Sequence, residues 1–252
     1  MLSKADTVSS LSAMLGSSTK MEYEDFNQEF KDEIKRVGSK KEKPTLFLHA
    51  CCGPCLTYPL SVLVNYFQVT VGYFNPNIAP VEEYLRRRKT REDFLSRYSS
   101  DHGIQVSLVI EEEDFLKYDS LFKGRYQDKE GGATCLKCHA YRRELAYKYA
   151  YFHHFDYFTT VRTVSCKKPS RELNEIAKIL EKKYSSTKYL YSDFKKENGQ
   201  LKGIQISRQY QLYRQGYCGC IPSLLERKEA IKRKIAEGKE LTQSEKELRI
   251  LE

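Results

Sequence analysis

The stretch LFLHACCGPC, residues 46–55, joins a short apolar run to three closely spaced cysteines. The apolar run has the length of a buried strand. Cys52-Gly53-Pro54-Cys55 also spells the dithiol motif of thioredoxins, but Cys51 has no place in that motif. The stretch therefore predicts a strand that ends at a thiol site, either a thioredoxin-like exchanger or a centre that holds something else.

The chain after residue 44 alternates between strand and helix patterns. Strands are predicted at 45–50, 68–74, 104–110, 155–161 and 188–194, and helices at 55–67, 81–103, 135–154 and 170–184. This alternation predicts an α/β fold, with a three-layer, Rossmann-like parallel sheet and helices on both faces. Loops that follow parallel strands meet at one edge of the sheet. The residues expected in one cysteine-rich cleft at that edge are Cys51, Cys52, residues 74–77, Thr159, Thr160 and Asp193.

Three segments are expected along the chain. Residues 1–43 are interpreted as a leader outside the core fold, partly helical or disordered, with Phe26, Phe30 and Ile34 on one face of a helix. Residues 44–223 form the predicted catalytic domain, and residues 224–252 a charged C-terminal helix. No apolar run approaches the roughly 20 residues that cross a bilayer, and the N-terminus lacks a signal-peptide core. The sequence therefore predicts a cytoplasmic protein with no membrane partner.

The charge balance favours a polyanionic partner. There are 43 Lys and Arg residues against 34 Asp and Glu, a net charge of +9. Nucleic acid is the first candidate partner, and a soluble protein that is merely basic is the alternative. Basic runs at residues 86–89, 142–143 and 195–196 are candidate phosphate contacts, although each is also typical of a solvated helix face.

The eight cysteines need an explanation other than disulfides in a reducing compartment. Cys135 and Cys138 have the two-residue spacing that lets two thiolates bind one metal centre. Cys51 and Cys52 are adjacent, which disfavours a disulfide but allows both to bind one polynuclear cluster. Four thiolates in two pairs match an iron–sulfur cluster, and a tetrahedral zinc site would use the same ligands.

Cys218-Gly219-Cys220 forms a third pair. A C-x-C pair can close a strained, easily reduced disulfide and so relay electrons. The alternative is two buried or additional metal-binding cysteines. Cys166 has no partner in the sequence and is expected to be structural.

Six motifs in order resemble one family. They are LHACCGPC (48–55), YFNPNIAPVEEYLRR (73–87), CLKCHAYRRELA (135–146), FDYFTTV (155–161), YSDFKK (191–196) and YQLYRQGYCGC (210–220). With these motifs the chain resembles the epoxyqueuosine reductases of the QueH type from about residue 46 to 223. Where that family follows Thr-Thr with a Ser-Pro step, this chain has Ser165-Cys166, so Cys166 is left out of the expected site.

The resemblance implies an activity and a set of site residues. Such enzymes remove the epoxide oxygen from epoxyqueuosine at the wobble position of tRNA, which yields queuosine. The implied ligands of a [4Fe-4S] cluster are Cys51, Cys52, Cys135 and Cys138, and the implied redox-active pair is Cys218 and Cys220. The family also holds an additional iron ion, for which Cys55 and Asp193 are the expected neighbours.

The remaining roles are hypotheses. Tyr217 or His49 would donate a proton, and an unidentified donor would supply electrons. The candidates for substrate contact are Phe74, Asn75, Asn77 and Arg214, with Tyr73 as a second ring that could stack on the base. Two rival functions are a thioredoxin-like oxidoreductase that uses Cys52 and Cys55, and a zinc-binding RNA-binding module.

Overall fold

The computed structural model describes residues 24–111, 114–122, 124, 128 and 130–250. The helices are α1 (Phe26–Gly38), α2 (Gly53–Leu63), α3 (Val81–His102), α4 (Phe115–Phe122), α5 (Ala133–Phe152), α6 (Ser170–Lys183), α7 (Gly199–Gln209), α8 (Ile221–Ala236) and α9 (Gln243–Ile250). The strands are β1 (Thr45–His49), β2 (Gln68–Tyr73), β3 (Ser107–Ile110), β4 (Tyr157–Thr160) and β5 (Lys188–Tyr189).

The five strands form one parallel sheet in the order β3-β2-β1-β4-β5. The chain moves outward from β1 to one edge and then crosses to the other side, which puts a topological switch point at β1 and β4. Cys51 and Cys52 follow β1, so the opening motif lies at this switch point. The predicted α/β class with a parallel sheet is confirmed.

Side chains of β1 alternate between two cores, which shows that helices cover both faces of the sheet. Leu46 and Leu48 pack in a cluster with residues of α2 and α3, such as Leu60 and Phe94. Phe47, between them in sequence, packs in a second cluster with residues of α5 and α6. Because successive side chains of a strand point to opposite faces, both faces of β1 must be apolar.

The helix predicted in the leader is present as α1, but it packs on the core. Ile34 and Val37 belong to one of the two sheet clusters, and Phe26 belongs to the other. The expectation that residues 1–43 lie outside the core fold is therefore wrong for α1. Residues 1–23 lie outside the described part of the chain.

The C-terminal segment contains two helices rather than the single one predicted. Gly238, with a φ of +67°, lies between α8 and α9. Leu224 and Ile231 of α8 pack with Leu248 of α9, and these side chains form a small cluster together with Tyr217. The α8–α9 hairpin therefore packs beside the Cys218–Cys220 loop. In the described ranges, no helix combines the length and the apolar character that a membrane span requires.

Gly72 provides a test of the packing between β1 and β2. A Cβ at this position would overlap the buried ring of Phe47, which also contacts Tyr149 at a centroid distance of 5.0 Å. We expect Gly72→Ala to lower the free energy of unfolding by about 1–3 kcal/mol, the usual cost of overpacking. Urea denaturation measures this difference. The control is Gly124→Ala, where the added Cβ meets no atom within 4 Å, and equal stabilities of the two variants would contradict the packing described.

Candidate active site

Three cysteines form a compact group at the carboxyl edge of the sheet. Cys51 and Cys52 follow β1, and Cys55 lies in the first turn of α2, which brings the three Sγ atoms within 4.8 Å of one another. The Sγ atoms of Cys51 and Cys52 are 3.8 Å apart. We call these three residues the cysteine triad. They lie at a helix N-terminus, where backbone N–H groups and the helix dipole favour thiolates.

The three thiols of the cysteine triad shift one another's pKa values in opposite directions. Hydrogen bonds from the thiols of Cys52 and Cys55 hold the pKa of Cys51 well below its usual value. The same interaction raises the pKa of Cys52 to about 12 and that of Cys55 above its usual value. The Nε2 amide of Gln215 donates to Cys52 Sγ at 3.0 Å. A bound metal ion would displace the remaining protons, because thiolates rather than thiols bind metals.

Cys135 and Cys138 lie in the first two turns of α5, at the start of a helix as the sequence predicted. The backbone N–H of Gly131 donates to Cys135 Sγ at 3.2 Å, and the hydroxyl of Tyr118 donates to Cys138 Sγ at 3.3 Å. These donors hold both sulfurs at the wall of a cavity of about 240 Å³, which we call the apolar cavity. Cys218 and Cys220 line the same cavity.

The loop that carries Cys218 and Cys220 is held by α3. Arg87 donates to the carbonyl oxygens of Cys218 at 2.9 Å and Tyr217 at 3.1 Å, and its side chain is buried against Glu83. Gly219 has a φ of +129°, and a Cβ there would lie 3.0 Å from Arg87 Nη1. A glycine is therefore required between the two cysteines, both by backbone conformation and by space.

Cys218 also lines a second cavity of about 470 Å³, together with Cys51 and Cys55 of the cysteine triad. We call it the basic cavity because its cationic lining outweighs its acidic lining. The cations are Arg162, Lys167, Lys168, Arg214, Arg227 and Arg233, against Glu130 and Glu226. Cys218 thus lines both cavities, and it shares the basic cavity with two residues of the cysteine triad.

Arg162 is a site residue that sequence reasoning missed. It follows β4, and its side chain is buried. Burial alone would lower the pKa of Arg162, but electrostatic interactions with the sulfurs of Cys51, Cys218 and Cys138 outweigh burial and raise it. Arg162 therefore supplies positive charge to the triad and to both cysteine pairs. The sequence did contain one signal for this role, because Arg162 is a cation that follows a strand predicted to end at the cleft.

The two sulfurs of the C-x-C pair differ in their surroundings. Burial disfavours the thiolate of Cys218, but Arg162, Lys168 and Arg142 outweigh burial and lower its pKa. Lys168 Nζ is 3.6 Å from Cys218 Sγ. Burial and the neighbouring Cys218 raise the pKa of Cys220 to about 11. Cys218 is therefore the better thiolate of the pair.

The loop of residues 74–77 reaches this site, but the side chains of Phe74 and of Tyr73, at the end of β2, support the fold. Phe74 is buried and packs on Phe47 and Tyr149, and Tyr73 packs on Tyr84. The expectation that these rings stack on a base is wrong, since the loop turns them into the protein.

The two asparagines of the loop differ in their surroundings. The buried amide of Asn75 donates to the carbonyl oxygen of Ala50 at 2.9 Å and accepts from Arg142. The buried amide of Asn77 has no hydrogen-bond partner among the described residues, and it lines the apolar cavity. Asn77, and Arg214 in the basic cavity, are therefore the predicted contact residues that remain open to a ligand.

Asp193 is not brought to the cysteines. The strand β5 ends at Tyr189, so Asp193 lies in the following loop, where its carboxylate accepts from Ser170 at 2.8 Å and lies 3.6 Å from Lys195 Nζ. Its side chain lines a separate cavity with residues of α1. The expected contact of Asp193 with a second metal stays a prediction, and these contacts do not support it.

The two suggested proton donors are engaged elsewhere. His49 is buried and contacts the carbonyl oxygen of Phe74 through Nε2 at 3.0 Å, and burial together with Arg142 lowers its pKa to about 3. The hydroxyl of Tyr217 donates to the carbonyl oxygen of Ala79.

Cys166, expected to be structural, is exposed and accepts from Gln200 at 3.2 Å.

Two of the basic runs proposed for phosphate contact are occupied within the chain. Arg86, Arg88 and Lys89 form ion pairs with Glu247, Glu92 and Asp93, and Arg87 is buried. The buried side chains of Arg142 and Arg143 donate to Asn75 and to the carbonyl oxygen of Leu173. The cations that line the basic cavity are better placed for a polyanion.

Comparison with known proteins agrees with this arrangement. The sequence model of a family described as epoxyqueuosine reductase QueH matches residues 46–226. A protein of that name from Staphylococcus epidermidis is 38% identical over 182 residues, which cover 71% of this chain and 76% of the relative. A second, from Streptococcus pyogenes serotype M1, is 35% identical over 75% of this chain and 74% of the relative. A third, from Haemophilus influenzae, is 31% identical over 77% of this chain and 79% of the relative. The matched span contains both C-x-C cysteines, the cysteine triad and the pair on α5, and the chain belongs to the epoxyqueuosine reductase QueH family.

Proposed function

We propose that this protein reduces epoxyqueuosine to queuosine at the wobble position of tRNA, in the cytoplasm. The observation that carries the proposal is the position of Cys218. It lies at the wall of a basic cavity that is also lined by Cys51 and Cys55 of the cysteine triad, a group that could hold a metal ion. A site with this composition can bring a polyanion, a metal centre and a thiol to one point.

The donor set fits iron and sulfide. Clustered thiolates are soft ligands that suit iron–sulfur clusters, and the buried cations Arg162 and Arg142 offset the negative charge of such a centre. We assign Cys51, Cys52, Cys135 and Cys138 as the ligands of a [4Fe-4S] cluster and Cys55 as the neighbour of an additional iron ion. Such a cluster, when bound, supplies electrons one at a time.

The thiols of Cys218 and Cys220 balance the overall reaction. Removal of an epoxide oxygen as water requires two electrons and two protons and leaves a carbon–carbon double bond. Two thiols that become a disulfide release two electrons and two protons. Cys218, whose thiolate is stabilised by Lys168 and Arg162, faces the basic cavity and delivers reducing equivalents to the substrate.

The basic cavity would hold the anticodon phosphates. Arg214 and Arg233 line it, and Cys218 lies at its wall. Protein–RNA contacts of this kind release counterions, so affinity falls steeply as salt concentration rises. Asn77 offers an unpartnered buried amide that can bind the base edge or the modified ring.

Arg233 and its neighbour Lys232 give a matched test of this surface. Arg233 lines the basic cavity, whereas Lys232 is exposed and pairs with Glu229 on the same helix. We expect Arg233→Glu to weaken tRNA binding roughly tenfold in low salt and to reduce the salt dependence, because a phosphate contact is lost. Lys232→Glu makes the same charge change and should alter affinity less than about twofold. Filter binding across a salt series measures both variants, and equal losses would refute the assigned surface.

The function itself is tested by product analysis. The protein is reconstituted anaerobically with iron and sulfide and incubated with tRNA that contains epoxyqueuosine and a strong reductant. Mass spectrometry of the nucleosides should show the loss of one oxygen atom from epoxyqueuosine. Binding of tRNA without this loss, by a protein with a verified cluster, would favour an RNA-binding module instead.

A further inference from the structure

The two cysteines of the C-x-C pair face different openings of the protein. Cys218 lines both the basic cavity and the apolar cavity, whereas Cys220 lines the apolar cavity alone. If the pair ends each turnover as a disulfide, the anticodon of a bound tRNA covers the basic cavity, which is one of the two sides from which Cys218 is reached. The disulfide can then be reduced from the apolar side.

The mouth of the apolar cavity differs in character from the basic cavity. Leu116 of α4 is 85% exposed at its rim, and Phe115 and Ile221 are also exposed there. Among the described lining residues, Asp119, Asp128 and Glu130 are acidic and none is a lysine or arginine. An apolar rim with acidic neighbours suits a protein surface better than the phosphates of RNA.

If the disulfide is attacked at Cys220, Cys218 is the leaving group, and two cations beside it stabilise its thiolate. Lys168 Nζ lies 3.6 Å from Cys218 Sγ, and the Arg162 guanidinium is buried beside it. Cys220 Sγ contacts the neutral hydroxyl of Ser223 at 3.4 Å. Thiol–disulfide exchange is faster when the sulfur that leaves is the better thiolate. Both sulfurs are reached from the apolar cavity, so the cations beside Cys218 decide between them and favour attack at Cys220 with departure of Cys218.

We propose that the apolar cavity is the docking site of a protein dithiol of the thioredoxin class, which attacks Cys220 of the oxidised pair. This inference rests on the proposed function of the pair. The partner thiolate bonds to Cys220 Sγ, the bond between the two cysteines breaks, and Cys218 leaves as a thiolate. The second thiol of the partner then attacks the mixed disulfide and releases Cys220. The partner becomes a disulfide, and its two protons end on Cys218 and Cys220.

Trapping the mixed disulfide tests the site of attack. The cluster-loaded protein is oxidised with diamide, and loss of two hydrogens from the peptide that holds Cys218 and Cys220 is verified by mass. It is then mixed with a bacterial thioredoxin whose resolving cysteine is replaced by serine. Peptide mapping should find the adduct on Cys220. An adduct on Cys218, Cys135 or Cys138, or failure of the disulfide to form, would overturn the proposal.

The docking surface is tested with matched leucine variants. Leu116→Asp adds charge at the rim of the apolar cavity, and Leu201→Asp adds the same charge to α7 at a position 53% exposed and outside that rim. We expect Leu116→Asp to slow reduction by wild-type thioredoxin at least tenfold and reduction by dithiothreitol less than twofold. Leu201→Asp should change neither rate. Equal rates of thioredoxin reduction for the two variants would refute docking at this rim. Neither assay uses tRNA, so failure of epoxide reduction would be seen separately.

Discussion

Replacing Cys51 with serine is expected to abolish iron binding and to lower epoxyqueuosine reduction by more than about 100-fold, because an assigned ligand of the cluster is lost. The thiolate of Cys51 accepts hydrogen bonds from Cys52 and Cys55, and it stabilises the buried Arg162. A serine hydroxyl stays protonated and cannot take over either role. Iron and sulfide content per chain and nucleoside turnover measure the effect.

The control for Cys51→Ser is Cys166→Ser. Cys166 is exposed, contacts Gln200 and lines the basic cavity, but it is not an assigned ligand of the metal centre. Cys166→Ser should leave the iron content within about twofold of the parent protein, as surface substitutions usually do. If Cys51→Ser retained the iron of the parent protein, Cys51 would not be a ligand of the metal centre.

Replacing Cys218 or Cys220 with serine should separate the metal centre from the redox pair. Each variant should lose more than about 100-fold in multiple turnover, because a single remaining thiol cannot close the disulfide that balances the reaction. Both should keep the iron, sulfide and visible absorption of the parent, since neither cysteine is assigned as a cluster ligand. The measurements are turnover by nucleoside mass spectrometry and iron per chain on the same samples.

The two serine variants also distinguish the alternatives for the C-x-C pair. If Cys218 and Cys220 were additional metal ligands, iron content would fall together with turnover in either variant. Turnover that persists in both variants would remove the dithiol from the mechanism.

The sequence was sufficient to predict the sheet and the elements that carry the cysteines. The strand before Cys51 appears in the sequence as an apolar run, and the helix that carries Cys135 appears as a periodic pattern. Both patterns depend on local sequence alone. Parallel strand order then brings the loops after β1 and β4 to one edge. The cysteine triad at β1 follows from this topology and from the adjacency of its residues.

Contacts between distant segments could not be predicted from local patterns. Arg162 becomes a site residue only because β4 pairs with β1, and Phe74 leaves the site because its ring packs on Phe47 and Tyr149. Asp193 seemed to end a strand, but β5 stops at Tyr189 and Ser170 binds the carboxylate. In the sequence, the basic run on α3 resembles a phosphate-binding surface. In the structure, Arg86 and Arg88 of this run form ion pairs within the chain.

The most direct test of the central claim is the composition of the metal centre after anaerobic reconstitution. Cysteines from two separate segments, one after β1 and one near the start of α5, are claimed to surround inorganic iron and sulfide at the edge of a parallel sheet. Mössbauer spectra of protein reconstituted with iron-57, together with iron and acid-labile sulfide analysis, should show a [4Fe-4S] centre that is lost in Cys51→Ser and in Cys135→Ser. A colourless protein that holds zinc and no sulfide, or a cluster that survives both substitutions, would contradict the account.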